Sequence, residues 1–352
     1  MHSFLSDGNR RRLAARGFRY EHTVTQMERI SVVVSPPDAP AARPLWLAPL
    51  LHAVELTKPR ITKMVTITAG VGFAMALVAG VGPASGFTLA GLLWITFAVA
   101  LGTALSSSGA GALNEWWERA RDARMHRTRT RPIPEGRLTP RAALWVGLAT
   151  SVAGVGLLWV GANWTAALVA LVTIVSYVLI YTPMKPHTPL ATLVGAVPGA
   201  LPPLIGWTAV AGGPWHGLGA AGGWSLFLIM FVWQIPHFLA IAWKHRDDYA
   251  RGGFKVLPVV DPSGVRTSWA VMLWSVALLP VSLAPVSAMN GVLGWPYALA
   301  ALVLGAGMFF FAAQLALSRT DVHARRLFFA SIIYLPLLLL AMVADAAASV
   351  LL

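Results

Sequence analysis

Polar and apolar residues alternate on a long period in this chain: stretches of mostly apolar residues are parted by shorter polar links. Nine such stretches can be read, at about 61–82, 88–110, 142–160, 163–181, 190–210, 224–243, 268–287, 295–317 and 327–350. About 20 apolar residues, rising 1.5 Å each as a helix, cross a hydrocarbon layer of ~30 Å. The pattern therefore predicts an all-α polytopic membrane protein, with about nine transmembrane helices over residues 46–352. Gly195, Pro198, Gly199, Pro202, Pro203 and Gly206 fall inside the fifth stretch. Such residues allow close helix approach and local breaks where neighbouring helices satisfy the freed backbone.

Charge placement sets the topology. All 27 Lys and Arg residues lie in the N-terminal region and in alternate links. The other links, at 83–87, 161–162, 211–223 and 288–294, carry none, and neither does the C-terminal tail. Positive charge gathers on the cytoplasmic side, so an odd number of spans with a cytoplasmic N-terminus is expected. With 57% hydrophobic residues, 12% charged residues and a mean hydropathy of +0.65, the composition excludes an ordinary soluble chain. The net charge of +13 belongs to the links, so a lipid bilayer is the expected surroundings and no nucleic-acid partner is expected. The chain has no Cys, which excludes disulfides, a thiolate nucleophile and a Cys-ligated metal.

Residues 1–45 are polar and Arg-rich, with a Pro-rich run from Pro36 to Pro44 and no apolar signal core. A disordered cytosolic extension is expected there. A mitochondrial transit peptide is the alternative, opposed by Asp7, Glu21 and Glu28, and Met27 offers a second start.

The densest chemistry lies in the link after the second stretch, NEWWERARDARMHRTRTR at 114–131. Asn114, Glu118 and Asp122 are spaced i, i+4, i+8, which places them in one column of a helix. Two carboxylates and an amide in a column suit a hard cation such as Mg²⁺, which takes oxygen ligands. Arg124, Arg127, Arg129 and Arg131 follow, at a density suited to phosphate oxygens. Together they read as a metal–diphosphate site; the bland alternative for the arginines is a basic cytoplasmic loop. After the fourth stretch, Tyr181 and Lys185 offer a hydroxyl and an ammonium, as a diphosphate contact or as a membrane anchor.

At the end of the sixth stretch, Trp233, Gln234 and His237 precede Asp247 and Asp248. Gln234 and His237 share a helix face, either as a substrate contact or as an interhelical hydrogen bond. Asp247 and Asp248 supply a second carboxylate source opposite the first, the other half of a two-sided clamp. The set read as metal ligands is Asn114, Glu118, Asp122 and Asp248. Trp116, Trp117, Tyr181 and Trp233 offer π faces to a cation, although with 15 Trp in the chain most must be interfacial anchors. Arg325, Arg326, Ser331 and Tyr334 form a weaker cluster at the start of the last stretch. A transporter would also carry polar residues in its spans, but typically near the midplane, whereas here the charges gather at the span ends.

These strings resemble the UbiA-type intramembrane prenyltransferases. The carriers are LTKPRI at 56–61, Asn114…Glu118…Asp122 with MHRTRTRP, YTPMK at 181–185, GAVPGALPPLIGW at 195–207, WQIPHF at 233–238, DDY at 247–249 and ARRLFFASIIYLPLL from 324. GALPPLIGW and WQIPHF resemble the haem-modifying branch. The resemblance implies a nine-helix bundle whose central cavity opens sideways to lipid under cytoplasmic loops, in a bacterial inner membrane. It also implies transfer of farnesyl from farnesyl diphosphate to a vinyl group of haem B, with water adding and Mg²⁺ as cofactor. A downstream haem-modifying membrane enzyme is an implied partner, and an aromatic quinone precursor is the alternative acceptor. The catalytic set implied is Asn114, Glu118, Asp122, Lys185, Asp247 and Asp248. Diphosphate would meet Arg127, Arg131, Lys185 and Tyr181, and haem would meet Trp233, Gln234 and His237. This chain departs from the family's usual residues at Glu118 (Asp), Ala191 (Asn) and Pro186–His187 (a basic pair), and it has Lys244 where the second acid motif would begin with Asp.

Overall fold

The computed structural model describes residues 48–82, 86–211, 216–289 and 291–351. The extension expected at 1–45 lies outside them. Among the described residues, nine helices are long and apolar enough to cross a membrane: α1 Pro59–Val78, α2 Leu89–Asp122, α3 Pro140–Gly161, α4 Trp164–Met184, α5 Ala191–Val210, α6 Ala221–Lys244, α7 Val265–Ala288, α8 Trp295–Ser318 and α9 Asp321–Leu351. No strand occurs among the described residues. Trp145, Trp159, Leu273 and Trp295 are exposed on the outer surface, as lipid-facing residues of such a bundle must be.

Two helices outrun their apolar stretches. α2 continues beyond the predicted 110 to Asp122, so the polar column prolongs a membrane helix without a break. α9 begins at Asp321, six residues before the expected 327. Local chemistry sets several starts. The Thr88 and Thr139 hydroxyls accept the Gly91 and Ala142 N–H groups at 3.1 and 3.2 Å, capping α2 and α3. Asn163 caps α4 by accepting from Ala166 N at 2.9 Å and donates its amide to Thr208 O of α5 at 2.8 Å, tying two helices.

Two helices are irregular where the sequence asks for it. α4 has a π turn at Ser176–Tyr181, just before the polar residues at its end. α5 is interrupted at Leu201, ahead of Pro202 and Pro203, whose nitrogens cannot donate. Its second half, Pro202–Val210, is buried at every position and lies chiefly along α1. The two chains nearly touch there. A Cβ built on Gly206 would stand 1.8 Å from Ala69 O, and one on Gly72 would stand 2.0 Å from Pro203 O. Gly206→Ala is therefore expected to cost about 1–3 kcal/mol of stability through forced separation of α1 and α5. The check is a lower thermal midpoint of the detergent-purified protein, and an unchanged midpoint would contradict it.

Inside the bundle, Tyr297 donates to Ser282 O at 2.7 Å, and the Ser282 and Tyr334 hydroxyls are hydrogen-bonded, joining α7, α8 and α9. A small apolar recess between α1, α5, α6 and α9 is lined by Thr68, Val71, Pro203, Leu226, Met230 and Leu339. The links after α2, α4 and α6 meet at one end. Lys255 N donates to Lys185 O at 2.9 Å, and Asp248 receives hydrogen bonds from the link after α2. The short helices Ala48–Leu56, Arg246–Arg251 and Leu257–Val260 belong to this end.

Candidate active site

Where α2 runs into the polar end, Asn114, Glu118 and Asp122 are 2%, 5% and 0% exposed, as the i, i+4, i+8 column requires. A fourth group joins them: Glu115, one residue round from Asn114, is 2% exposed. Carboxylates buried this deeply need countercharge or hydrogen bonds. Three cations supply it, each from a different segment. Lys58, just before α1, donates to Asn114 Oδ1 at 2.7 Å and lies 3.9 Å from Glu115 Oε1. Lys185, just past α4, lies 2.8 Å from Glu118 Oε1. Arg131, from the link after α2, donates to Asp122 Oδ2 at 2.7 Å, and its Nε is 3.5 Å from Glu115 Oε1.

The supporting structure explains how these arms reach. Lys58 adopts a left-handed backbone (φ 51°) ahead of Pro59, a position from which the α conformation is disfavoured. The π turn precedes Thr182, whose hydroxyl accepts from Asn114 Nδ2 at 3.0 Å and donates to Tyr177 O at 2.8 Å. Such turns insert a residue and re-aim side chains. Tyr181 turns its face to Lys185, with Nζ 4.5 Å from the ring centroid. Gly195 of α5 makes room for that ring, since a Cβ there would fall 2.5 Å from Tyr181 Cε2. Thr128 donates to Asp122 O at 2.9 Å, folding the arginine link back over the end of α2.

Burial, and then the nearby Arg131 charge, push Lys58 down to about 8, outweighing Glu115 and Glu118. Burial also opposes the charge on Lys185, but the Glu118 carboxylate and then the phenol oxygens of Tyr181 and Tyr177 overcome it and raise that group above the ordinary lysine value.

The acids of the link after α6 differ from each other in their surroundings. Asp248 is buried, but both its oxygens are occupied: Oδ1 accepts from His126 N at 2.8 Å and Arg251 at 2.7 Å, and Oδ2 from Arg127 N at 3.1 Å. Burial alone would raise its pKa, and these hydrogen bonds together lower it below the usual carboxylate range. In this structure Asp248 clamps the arginine link, and its charge is directed there, away from the column on α2. Asp247 is exposed. Arg127 is exposed as well and stacks over Tyr249, 5.6 Å from its centroid, at the rim of the site.

The aromatic residues divide. Trp116 packs with Leu56 and Ile133, and Trp117 is exposed, so neither joins Tyr181. Trp233 donates to Ser331 O at 2.8 Å, and the His237 ring is stacked between Trp233 and Phe328 at 4.8 and 5.4 Å. Its Nδ1 meets the Ser331 hydroxyl at 2.8 Å, linking α6 to α9. Gln234 is buried against α5, bonding Met230 O at 2.8 Å and Ala196 O at 3.4 Å. Seven residues, or about 10 Å of helix, separate His237 from Lys244 at the polar end.

Sequence reasoning missed Lys58 and Glu115 as site residues. Glu115 sits off the column it searched, and Lys58 was visible only as part of the LTKPRI string. Among the described residues, no three His, Asp or Glu side chains converge as a ready metal cage; each acid faces a cation instead. Two buried oxygens, Glu115 Oε2 and Asp122 Oδ1, have no partner at all. Hard, buried, partnerless oxygens beside Asn114 and Glu118 are a donor set that fits Mg²⁺. Acids for a cation, with Lys185 and Arg131 for anionic oxygens, make a site able to hold a metal-complexed diphosphate at the edge of an apolar bundle.

The chain matches the UbiA prenyltransferase family over residues 64–333. A protoheme IX farnesyltransferase from Solibacter usitatus is 43% identical over 295 residues, covering 81% of this chain and 95% of the relative. One from Koribacter versatilis is 40% identical over 299 residues, covering 83% and 92%. Among solved structures, digeranylgeranylglyceryl phosphate synthase aligns at a TM-score of 0.66 and 15% identity, over 85% of this chain and 99% of the other. A UbiA homolog from Archaeoglobus fulgidus bound to GPP and Mg²⁺ aligns at 0.50 and 13%, over 86% and 100%. The structural likenesses fix the fold, and the sequence identities reach across nearly the whole length of the relatives. A nine-helix bundle with an acid face at one end of its second helix is thus no chance convergence: the chain belongs to the UbiA prenyltransferase family.

Proposed function

We propose that this chain transfers the farnesyl group of farnesyl diphosphate to a vinyl group of haem B, water adding in the same reaction, to give haem O and diphosphate. The buried face of Asn114, Glu115, Glu118 and Asp122, with a cation on every acid, carries the prenyl-transfer half. The identity to protoheme IX farnesyltransferases carries the choice of acceptor.

An allylic diphosphate ionises when the charge developing on its leaving oxygens is neutralised in a dry site. Arg131 and Lys185 face that charge, and Arg127 stands at the rim. Mg²⁺, held by Asn114, Glu118 and Asp122 with Glu115 beside them, would supply Lewis-acid stabilisation of the same oxygens. The C–O bond breaks with its electron pair going to the diphosphate. The vinyl π pair then forms the new C–C bond, and water captures the resulting cation, losing a proton. Tyr181 holds the Lys185 ammonium over its π face, 4.5 Å from the ring centroid, and so helps to position that cation for the diphosphate. Asp248 holds the arginine link over the site and is not assigned to the cation.

The acceptor side is assigned to the stack of Trp233, His237 and Phe328. With His237 Nδ1 on Ser331, its Nε2 is the atom left to meet a haem by ligation or hydrogen bond. The gathering of Lys and Arg in the N-terminal region and alternate links supports a site on the cytoplasmic face of a bacterial inner membrane. Haem O would pass to a haem-modifying membrane enzyme.

The test is reconstitution in nanodiscs with farnesyl diphosphate, haem B and Mg²⁺. Haem O should form, and a 4-hydroxybenzoate acceptor should give no prenylated product; the opposite outcome would assign the chain to the aromatic-acceptor branch. In the same assay His237→Ala should weaken haem binding about tenfold, ~1.4 kcal/mol, and leave farnesyl diphosphate binding unchanged. Lost diphosphate affinity with unchanged haem affinity would place His237 on the donor side.

A further inference from the structure

Three cations sit on the acid face of α2, each where an incoming ion would lie: Lys58 on Asn114 and Glu115, Lys185 on Glu118, and Arg131 on Asp122 and Glu115. Glu115, Glu118 and Asp122 thus carry three negative charges against three positive ones, and the buried site is neutral as it stands. A divalent cation arriving alone would leave two uncompensated positive charges there. Diphosphate arriving alone would leave an excess of negative charge. Uncompensated buried charge is strongly disfavoured, so only the two together keep the balance near neutral.

Lys58 is the distinctive member. It is one of two non-glycine residues with positive φ among those described, a conformation that L side chains disfavour. Its Nζ occupies Asn114 Oδ1, the carboxamide oxygen that a cation would need. Glu115 Oε2, on the carboxylate that Lys58 faces, has no hydrogen-bond partner, and neither does Asp122 Oδ1, two turns further along α2.

We propose that Lys58 is a resident counter-ion of the acid face: it holds Asn114 and Glu115 in the free enzyme, yields Asn114 to the entering cation and moves onto the diphosphate, so that cation and diphosphate bind together and neither binds well alone. This rests on the metal–diphosphate reading of the site. Lys58 is a positioning residue in the free state and a diphosphate contact in the loaded one.

The full chain in nanodiscs, with Mn²⁺ followed by electron paramagnetic resonance and inorganic diphosphate as the anion, tests it without turnover. After allowance for the Mn²⁺–diphosphate complex in solution, saturating diphosphate should tighten Mn²⁺ binding at least about tenfold. Lys58→Met should tighten Mn²⁺ binding in the absence of diphosphate at least about fivefold and weaken diphosphate binding. Lys58→Arg should keep the unmodified pattern. A purely structural lysine would not tighten metal binding on removal. Unchanged or weaker Mn²⁺ binding by folded Lys58→Met overturns the proposal. If that variant does not fold, the unmodified chain decides: independent binding of Mn²⁺ and diphosphate overturns the counter-ion role alone. Binding of neither overturns the metal–diphosphate reading and this inference with it.

Discussion

Asp122→Ala is expected to lower kcat/KM for prenyl transfer by about 10³-fold or more, ~4 kcal/mol on the barrier. Asp122 is fully buried, offers Oδ1 without a partner and holds Arg131 through Oδ2. Its loss removes a cation ligand and also releases the guanidinium proposed to face the leaving oxygens. Removing one partner of a buried ion pair also destabilises a protein, by about 3–5 kcal/mol. The comparison therefore includes Asp122→Asn, which keeps the volume and a hydrogen-bond acceptor but not the charge. Initial rates of haem O formation, measured on monodisperse helical protein, should fall nearly as far for Asn as for Ala. Near-normal turnover by folded Asp122→Asn would remove Asp122 from the diphosphate site.

Glu118→Gln should cost about 10²-fold in kcat/KM, ~2.7 kcal/mol, while Glu118→Asp keeps substantial activity. Glu118 and Lys185 are both largely buried, 2.8 Å apart, and Glu118 is the first charge that raises the lysine against the effect of burial. A neutral amide leaves that ammonium without its main countercharge and removes a negative ligand from the face. Aspartate keeps the charge at shorter reach, and it is the residue the family usually has at this position. The readout is kcat/KM at saturating Mg²⁺ for the three side chains at position 118. Equal rates for Gln and Glu would show that the charge is not what matters there.

The spans were legible because the hydrocarbon layer imposes a length and a polarity on each helix, and both are local properties of the chain. The column of Asn114, Glu118 and Asp122 was legible for the same reason, helical spacing being fixed by the backbone. Lys58 was not: its partner Asn114 is 56 residues away, and nothing local to the chain pairs the two. Glu115 lies about 100° round the helix from its neighbour Asn114, so a search along one column passes it by. It enters the site only because Lys58 and Arg131 approach from outside α2. Asp248 shows another limit: a pair of adjacent acids reads as a ligand source in sequence, and the long-range hydrogen bonds from the backbone of His126 and Arg127 to one of them come only with the fold. Gln234 and His237 share a helix face by their spacing, and each makes an interhelical hydrogen bond, one of the two roles that spacing allows, the first to α5 and the second to α9.

The unbroken length of α2 has a mechanical consequence. Its 34 residues form a rod of about 51 Å, against a hydrocarbon layer of ~30 Å. One end is capped by Thr88, and the other carries the acid face. A hydrogen-bonded rod does not stretch, so a thicker or thinner bilayer is met by tilt of the rod, by a change in how far its charged end stands clear of the lipid, or by deformation of the lipid around it. The cations that complete the site come from other segments, Lys58 ahead of α1 and Lys185 past α4, and need not move in step. Membrane thickness is thereby a variable of the site's own geometry, with α2 as the lever that transmits it.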